Sequence, residues 1–461
     1  MAERGATAEG GSTGSPGGRP GRAKPRLPGA QRERLLTELR ACAKGVGGEV
    51  SARVRATRLG AAYLKLDDAG RHEFLRLIAL EFGPDPAAVA EAHRVFQEAV
   101  GTPAQWDAEM DLRAALRSSR IRILTQFNAL PQGVKFLVDL RADLLRFLEE
   151  DPELAVLDRE LQARLTAWFD VGFLESHRIT WNSPAFLLEK LIQYEAVHEI
   201  RSWNDLRNRL EADRRCYAFF HPRMPTEPLI FVEVALTRKL ADNIQALLDE
   251  TAPVLDIHKA DTAIFYSISN TQQGLRGISF GNFLLKRVID DLKRDLPRLK
   301  TFATLSPIPE LRAWAEATPR AIQDSAAPKE LERIAAAAGK TMDANVLGAL
   351  LADGDWTSNG KLAAALRDPV LRLAARYLLE AKQEGRPADP VARFHLGNGA
   401  RMERLNWMAD LSSKGLRRSF GLMVNYLYDP DAIEENVEGY SAQGDIAASY
   451  SVRRFLRHGS P

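Results

Sequence analysis

Three places in this 461-residue sequence carry residue types that could do chemistry: the turn from Arg276 to Asn282, the Ser-Pro step at Ser306, and the imidazole of His395. The turn, Arg276-Gly277-Ile278-Ser279-Phe280-Gly281-Asn282, lies between a β-rich run and an amphipathic helix, where backbone N–H groups and the helix dipole can receive a phosphate. Its glycines allow the backbone to approach an anion closely, although a glycine-bearing turn before a helix often serves only as a turn. Ser306 offers a hydrogen-bonding hydroxyl whose backbone is restricted by Pro307 and Pro309, while Ser-Pro at a strand end is also a common turn. His395 brings a group that titrates near neutral pH and can give a proton to carbon; the alternative is a structural histidine.

Other chemistries find less support. His221 and His258 lack the close ligand spacing of a zinc site, no His-Glu-x-x-His run occurs, and no Gly-x-x-x-x-Gly-Lys-Ser/Thr loop for ATP is present. Arg214-Arg215 reads as a charge pair at a helix end, with contact to a nucleotide phosphate as the alternative. Cys42 and Cys216 are the only cysteines, too few for a disulfide framework and compatible with a reducing cytosol. Of the net charge of +2, residues 1–28 supply five basic against two acidic side chains, which leaves the remainder near −1. A nucleic-acid partner is therefore not expected. Nor is a membrane partner, because no apolar run approaches the roughly 18 residues a spanning helix needs.

The elements that must position these residues are legible in outline. Residues 1–28 hold seven glycines and four prolines and read as a disordered tail. From 29 to 175 the apolar spacing is helical, as in Phe136, Leu137, Leu140, Leu144, Phe147 and Leu148, and predicts helices over 31–46, 50–66, 70–82, 86–100, 104–129 and 155–170. This part reads as an all-helical bundle for packing or subunit association. From 176 to 461 β-rich runs appear at 229–236, 262–268 and 301–305, with a possible further strand within 420–428. Phe283, Leu284, Leu285, Val288, Ile289 and Leu292 give the helix after the turn its apolar face. A helical stretch over about 327–385 precedes Phe394-His395-Leu396-Gly397-Asn398-Gly399-Ala400. The expected fold class is α+β, an all-helical N-terminal bundle followed by an α/β domain with a helical insertion.

The turn resembles the Arg/Gln-x-x-Gly-x-Gly/Ala signature of the GCN5-related acetyltransferase fold, whose loop holds the pyrophosphate of coenzyme A, with Ser279 in place of the usual middle glycine. A wider set of blocks resembles the malonyl-CoA decarboxylase family: Arg214-Arg215-Cys216-Tyr217, Glu227-Pro228-Leu229, Ala263 to Ser269, Thr271 to Leu275, Leu305-Ser306-Pro307-Ile308-Pro309, Phe394 to Ala400, and Asn406-Trp407-Met408-Ala409-Asp410. They follow the family order over about 180–428.

The resemblance implies conversion of malonyl-CoA to acetyl-CoA and carbon dioxide in fatty acid metabolism, an acetyltransferase-like C-terminal domain, and no metal or prosthetic group, coenzyme A being part of the substrate. It also implies homo-oligomers, for which the helical domain is the expected association surface. By motif, Ser306 and His395 match the catalytic pair, and Arg276, Gly277, Ile278, Ser279, Phe280, Gly281 and Asn282 match the acyl-CoA-binding loop; Asn398 would orient the imidazole or bind the acyl group. A cytoplasmic location is expected, since the chain ends Gly459-Ser460-Pro461 and not in the peroxisomal Ser-Lys-Leu of some animal members. Two further readings stay open: a CoA-dependent acyltransferase, and a catalytically silent CoA-binding scaffold.

Overall fold

A computed structural model describes residues 27–45, 48–169, 171–278, 283–343, 345–353 and 355–456. The chain forms two compact units that divide between Leu161 and Gln162, inside the helix Ala155–Trp168.

The first unit is helical. The stripe on Gly133–Phe147 buries Leu137, Leu140, Leu144 and Phe147, and its neighbours contribute Leu39, Phe74, Leu75, Ile78, Ile123, Leu124 and Phe127 to the same core. The helix expected over 104–129 is two helices, Gln105–Ala115 and Arg120–Asn128. No glycine or proline marks the break. Instead the Ser118 hydroxyl and the Arg120 guanidinium both bond the Glu160 carboxylate, at 2.7 Å and 2.8 Å, and these charge-assisted bonds outweigh the continuing helical pattern. The helices Pro86–Ala99 and Gln105–Ala115 bury only Ala99 and Ala108 respectively, while Val100, Trp106, Met110 and Leu116 are exposed.

The second unit is built on a mixed sheet whose strands are β1 (Glu175–Ile179), β2 (Arg214–His221), β3 (Met224–Thr237), β4 (Thr262–Asn270), β5 (Thr301–Thr304), β6 (Ser306–Pro307), β9 (Arg401–Asn406) and β10 (Met423–Leu427); β7 (Lys382–Gln383) and β8 (Arg386–Pro387) form a separate hairpin. The order is β1-β2-β3-β4-β5-β10-β6, with β9 on the other side of β10. The expected α+β class is what the chain adopts, and helices between β6 and β7 form the insertion. Arg214 and Arg215, read from sequence as a helix end, lie on β2. Their guanidinium groups donate to the Leu247 and Ala212 carbonyls, so both are structural here. Among the described residues no helix is long and apolar enough to cross a membrane.

Two features of the sheet create a site. β4 and β5 pair in parallel only from Thr262↔Thr301 to Phe265↔Thr304, and the last link is Leu305 N–H to the Phe265 carbonyl at 3.0 Å. At that same level β4 bulges: Glu233 pairs with Ser267 and Val234 with Phe265, leaving Tyr266 as the extra residue. The rest of β4 stays on β3, while the β5 chain turns to β10, so the sheet opens between them. Leu305 packs with Ile264, Tyr266, Ala303 and Met423 on one face. Strand alternation sends Thr304 and Ser306 to the other.

Candidate active site

Ser306 reaches its position because β5 and β6 are two pieces of one bent strand held by β10, with Val424 paired to Ser306 and Leu427 to Ala303. His395 sits on the helix Pro390–Gly397, which starts with Asp389 as N-cap and Pro390 in the first turn, both favourable there. Gly399, at φ +80, carries the chain from this helix into β9, and a Cβ there would press into the Ile433 carbonyl. Only glycine fits that step.

Ser306 and His395, distant in sequence, meet with Oγ and Nε2 3.0 Å apart. Ser306 Oγ donates to Thr304 Oγ1 at 2.8 Å, and the Tyr426 N–H also donates to Thr304 Oγ1, at 3.2 Å. Behind the imidazole, Nδ1 lies 2.8 Å from the Tyr428 hydroxyl. The Tyr426 ring stacks on the imidazole with centroids 4.4 Å apart. All of these side chains are buried: Ser306 is 6% exposed, His395 3% and Tyr428 1%.

Burial sets the charge state. Desolvation lowers the His395 pKa to about 3, so the ring is neutral near pH 7 and carries one N–H. Because the Ser306 hydrogen is committed to Thr304, the Nε2 contact is satisfied by Nε2–H donating to Ser306 Oγ. Nδ1 is then bare and accepts the Tyr428 hydroxyl. The result is a directional chain from Tyr428 through His395 to Ser306. The sequence suggested an imidazole titrating near neutral pH; desolvation instead favours the neutral ring.

Beside this chain lies a cavity of about 290 Å³, lined by Ile230, Val232 and Ile268 of the opened sheet, Ile278, Leu284 and Leu285 of the turn and its helix, and Phe394 and Asn398 of the His395 helix. The His395 ring itself does not line it and stands one layer behind, next to Phe394. Larger hollows lie elsewhere on the second unit; like this cavity they are not lined by Ser306 or His395, and this one is singled out because Phe394 and Asn398, close to His395 in the chain, form part of its wall.

The turn is described only in part. Arg276 and Gly277 are exposed, and Ile278 is buried against the cavity. Gly277 takes φ +79 and its carbonyl accepts from Gln162 Nε2 at 3.1 Å. Ser279, Phe280, Gly281 and Asn282 lie outside the described residues. Asn398 lines the cavity, but its amide donates to the Phe394 carbonyl at 2.6 Å and does not bond the imidazole, whose orienting partner is Tyr428. Sequence reading missed Tyr428, Tyr426 and Thr304. The available signal was the i, i+2 spacing of the tyrosines on a predicted strand, which places both rings on one face.

Fold and site together define a mixed α/β domain with a buried serine–histidine pair. A model of the malonyl-CoA decarboxylase C-terminal domain matches residues 172–460, and one of the N-terminal domain of the same family matches residues 82–169. The chain belongs to the malonyl-CoA decarboxylase family. It is 39% identical over 398 residues to mouse "Malonyl-CoA decarboxylase, mitochondrial", covering 83% of this chain and 81% of the mouse protein. The crystal structure of malonyl-CoA decarboxylase from Rhodopseudomonas palustris aligns with a TM-score of 0.82 at 42% identity, covering 92% of this chain and 99% of that one. The enzyme from Agrobacterium vitis aligns with a TM-score of 0.81 at 41% identity, over 92% and 99% of the two chains.

Proposed function

We propose that this chain decarboxylates malonyl-CoA to acetyl-CoA, with Ser306 positioning the acyl end and His395 delivering the proton. The observation that carries the reading is the 3.0 Å contact between Ser306 and His395 beside a cavity bounded by the turn helix.

The reaction requires little beyond positioning and a proton. Heterolysis of the C2–C3 bond releases carbon dioxide and sends the electron pair into the thioester, whose carbonyl is the electron sink, to give an enolate. On this chemistry the substrate needs no organic cofactor or metal. The enzyme must hold the breaking bond perpendicular to the thioester plane, stabilise the oxyanion and protonate C2. Ser306 can turn its hydroxyl from Thr304 to the carboxylate or the thioester oxygen. His395 can give its Nε2 proton to C2 while Nδ1 takes the proton of Tyr428. The ionised carboxylate needs no base, so Ser306 acts as a holder.

The apolar cavity suits the pantetheine arm, and the turn from Arg276 to Asn282, at the start of the helix Phe283–Asp295, suits the pyrophosphate. Asn398, which lines the cavity, would contact the acyl group. For the first unit we propose a role in homo-oligomer formation, supported by the exposed Trp106, Met110 and Leu116. Cys42 and Cys216 are free and buried, which suits the reducing cytoplasm; the animal relatives are named mitochondrial, and a reducing matrix would suit these thiols equally.

Incubation of the purified protein with malonyl-CoA, followed by quantitation of acetyl-CoA and carbon dioxide, tests the function. Intact malonyl-CoA together with acetylation of an amine from acetyl-CoA would instead establish an acyltransferase; binding of CoA without turnover would establish a scaffold.

A further inference from the structure

Ser306 stands where the sheet is irregular, and the irregularity is built by two buried side chains, Thr304 and Asn425, neither of which lines the cavity. β10 keeps one register along the bent strand, from Leu427↔Ala303 to Val424↔Ser306, so Thr304 stands opposite Tyr426. Pairing nevertheless lapses between those two points, and side chains supply bonds there. The Thr304 carbonyl accepts from Asn425 Nδ2 at 2.7 Å, and the Tyr426 N–H donates to Thr304 Oγ1 at 3.2 Å. On its other edge β10 is irregular at the same level: Asn425 pairs with Arg404 and Tyr426 with Met402, leaving Glu403 as the extra residue of a bulge.

The Asn425 amide is fully engaged. Nδ2 donates to the Thr304 carbonyl and to that of Ala241, the latter at 3.0 Å. Oδ1 accepts from Asn406 Nδ2 at 2.9 Å and from Arg404 Nε at 3.2 Å. Because a guanidinium only donates, Arg404 fixes Oδ1 on its own side and turns Nδ2 toward the carbonyls. Arg404 is itself anchored on the Leu240 and Ala241 carbonyls at 3.2 Å and 3.1 Å. Asn406 opens the block Asn406-Trp407-Met408-Ala409-Asp410, to which the reaction described above gives no role.

We propose that Asn425 and Thr304 are positioning residues that aim the Ser306 hydroxyl, Asn425 by holding the Thr304 carbonyl and Thr304 by presenting its own hydroxyl to Ser306. The inference rests on the decarboxylase reading. A regular ladder would give the Thr304 carbonyl to the Tyr426 N–H and leave the threonine hydroxyl free to turn. With that carbonyl taken by Asn425, the Tyr426 N–H bonds Oγ1 instead and holds it on the face that carries Ser306. The second lone pair of Oγ1 receives the Ser306 hydroxyl at 2.8 Å, which leaves Ser306 Oγ 3.0 Å from His395 Nε2. A serine has three open χ1 wells, so a partner on each side is what keeps its oxygen aimed. Since neither positioning residue lines the cavity, their effect falls on turnover through Ser306 and not on binding of the CoA arm.

A double-mutant cycle tests the proposal. Thr304→Val keeps the branched shape and removes the hydroxyl. Asn425→Asp keeps Oδ1 and sets a second acceptor against the Thr304 and Ala241 carbonyls. Each should lower kcat for malonyl-CoA at least about ten-fold with KM within about two-fold of wild type, and Thr304→Ser, which restores the hydroxyl, should recover most of the rate. Added to Ser306→Ala, the first two substitutions should slow the residual decarboxylation by less than about two-fold more, because the group they aim is already gone. A cost as large in that background as in wild type marks general damage to the site and overturns the proposal. So does wild-type kcat in Thr304→Val, or a Thr304→Ser variant as slow as Thr304→Val. If Asn425→Asp does not fold, Asn406→Ala takes its place: loss of one donor to Oδ1 should lower kcat about three-fold, again only while Ser306 is present, and wild-type kcat there overturns the role of Asn425. If the wild-type protein leaves malonyl-CoA intact, the decarboxylase reading fails and this inference falls with it; an active wild type with additive costs overturns this inference alone.

Discussion

Tyr426 lies flat against His395, with ring planes 26° from parallel, while its neighbour two residues on, Tyr428, meets the same imidazole edgewise and bonds Nδ1 at 2.8 Å. One strand therefore supplies both the wall that desolvates the imidazole and the hydroxyl that orients it. In the proposed reaction this coupling lets the ring stay neutral as it gives up Nε2–H, because Nδ1 can take the Tyr428 proton.

Tyr428→Phe removes that hydroxyl without emptying its site. We expect kcat to fall roughly 10- to 100-fold with KM for malonyl-CoA nearly unchanged, since the loss is to proton transfer and not to binding. An unchanged kcat would show that Nδ1 needs no partner.

Ser306→Ala and His395→Asn separate holding from protonation. His395→Asn should lower kcat by about 10²- to 10⁴-fold, and with malonyl-CoA stereospecifically tritiated at C2 and turned over in heavy water, the methyl group of the residual acetyl-CoA should form without stereochemical bias. Ser306→Ala should keep that bias while slowing carbon dioxide release. Wild-type release by both variants would sink both assignments.

His395 also predicts an acid-side cost. Its folded-state pKa, about 3, is below the unfolded value near 6.5, so its contribution to stability is complete above pH 6.5 and is lost as pH falls toward 3. The slope is at most about 1.4 kcal/mol per pH unit, with other groups adding their own. Thermal unfolding of His395→Gln should fall less steeply over pH 6 to 4 than that of wild type. Parallel curves would mean that the buried ring does not resist protonation.

Gly399→Ala should lower Tm by several degrees and activity with it. Alanine at φ +80 costs about 1–2 kcal/mol before its clash with the Ile433 carbonyl is counted, and any relief moves the end of the His395 helix. A variant with wild-type Tm would show that the step into β9 tolerates a side chain.

If Trp106 and Met110 belong to an association surface, Trp106→Glu with Met110→Glu should lower the molecular mass measured by light scattering while the helical circular dichroism signal is retained. An unchanged mass would remove these residues from the interface.

Much of this architecture is local and could be read directly. The period of Leu137, Leu140 and Leu144 announced a buried helical face, as did that of Leu284, Leu285, Val288 and Leu292 after the turn, and all of these side chains are buried. β2 was missed because all of its residues are buried, which erases the alternation that marks a half-exposed strand. The break between Gln105–Ala115 and Arg120–Asn128 was equally silent, since Glu160, which holds it, lies forty residues away.

At the site the division is the same. By itself the sequence determined which residues had the right chemistry, Ser306 and His395 among them, and the family blocks in which they stand, because motif and spacing are properties of neighbouring residues. Only the tertiary structure decided that the two meet, that Nε2 faces Ser306, that burial lowers the imidazole pKa, and that Tyr428 stands behind the ring. Those properties arise from hydrogen bonds across long stretches of chain and from the exclusion of water by β10 and the His395 helix, and neither exists until the sheet has closed around them.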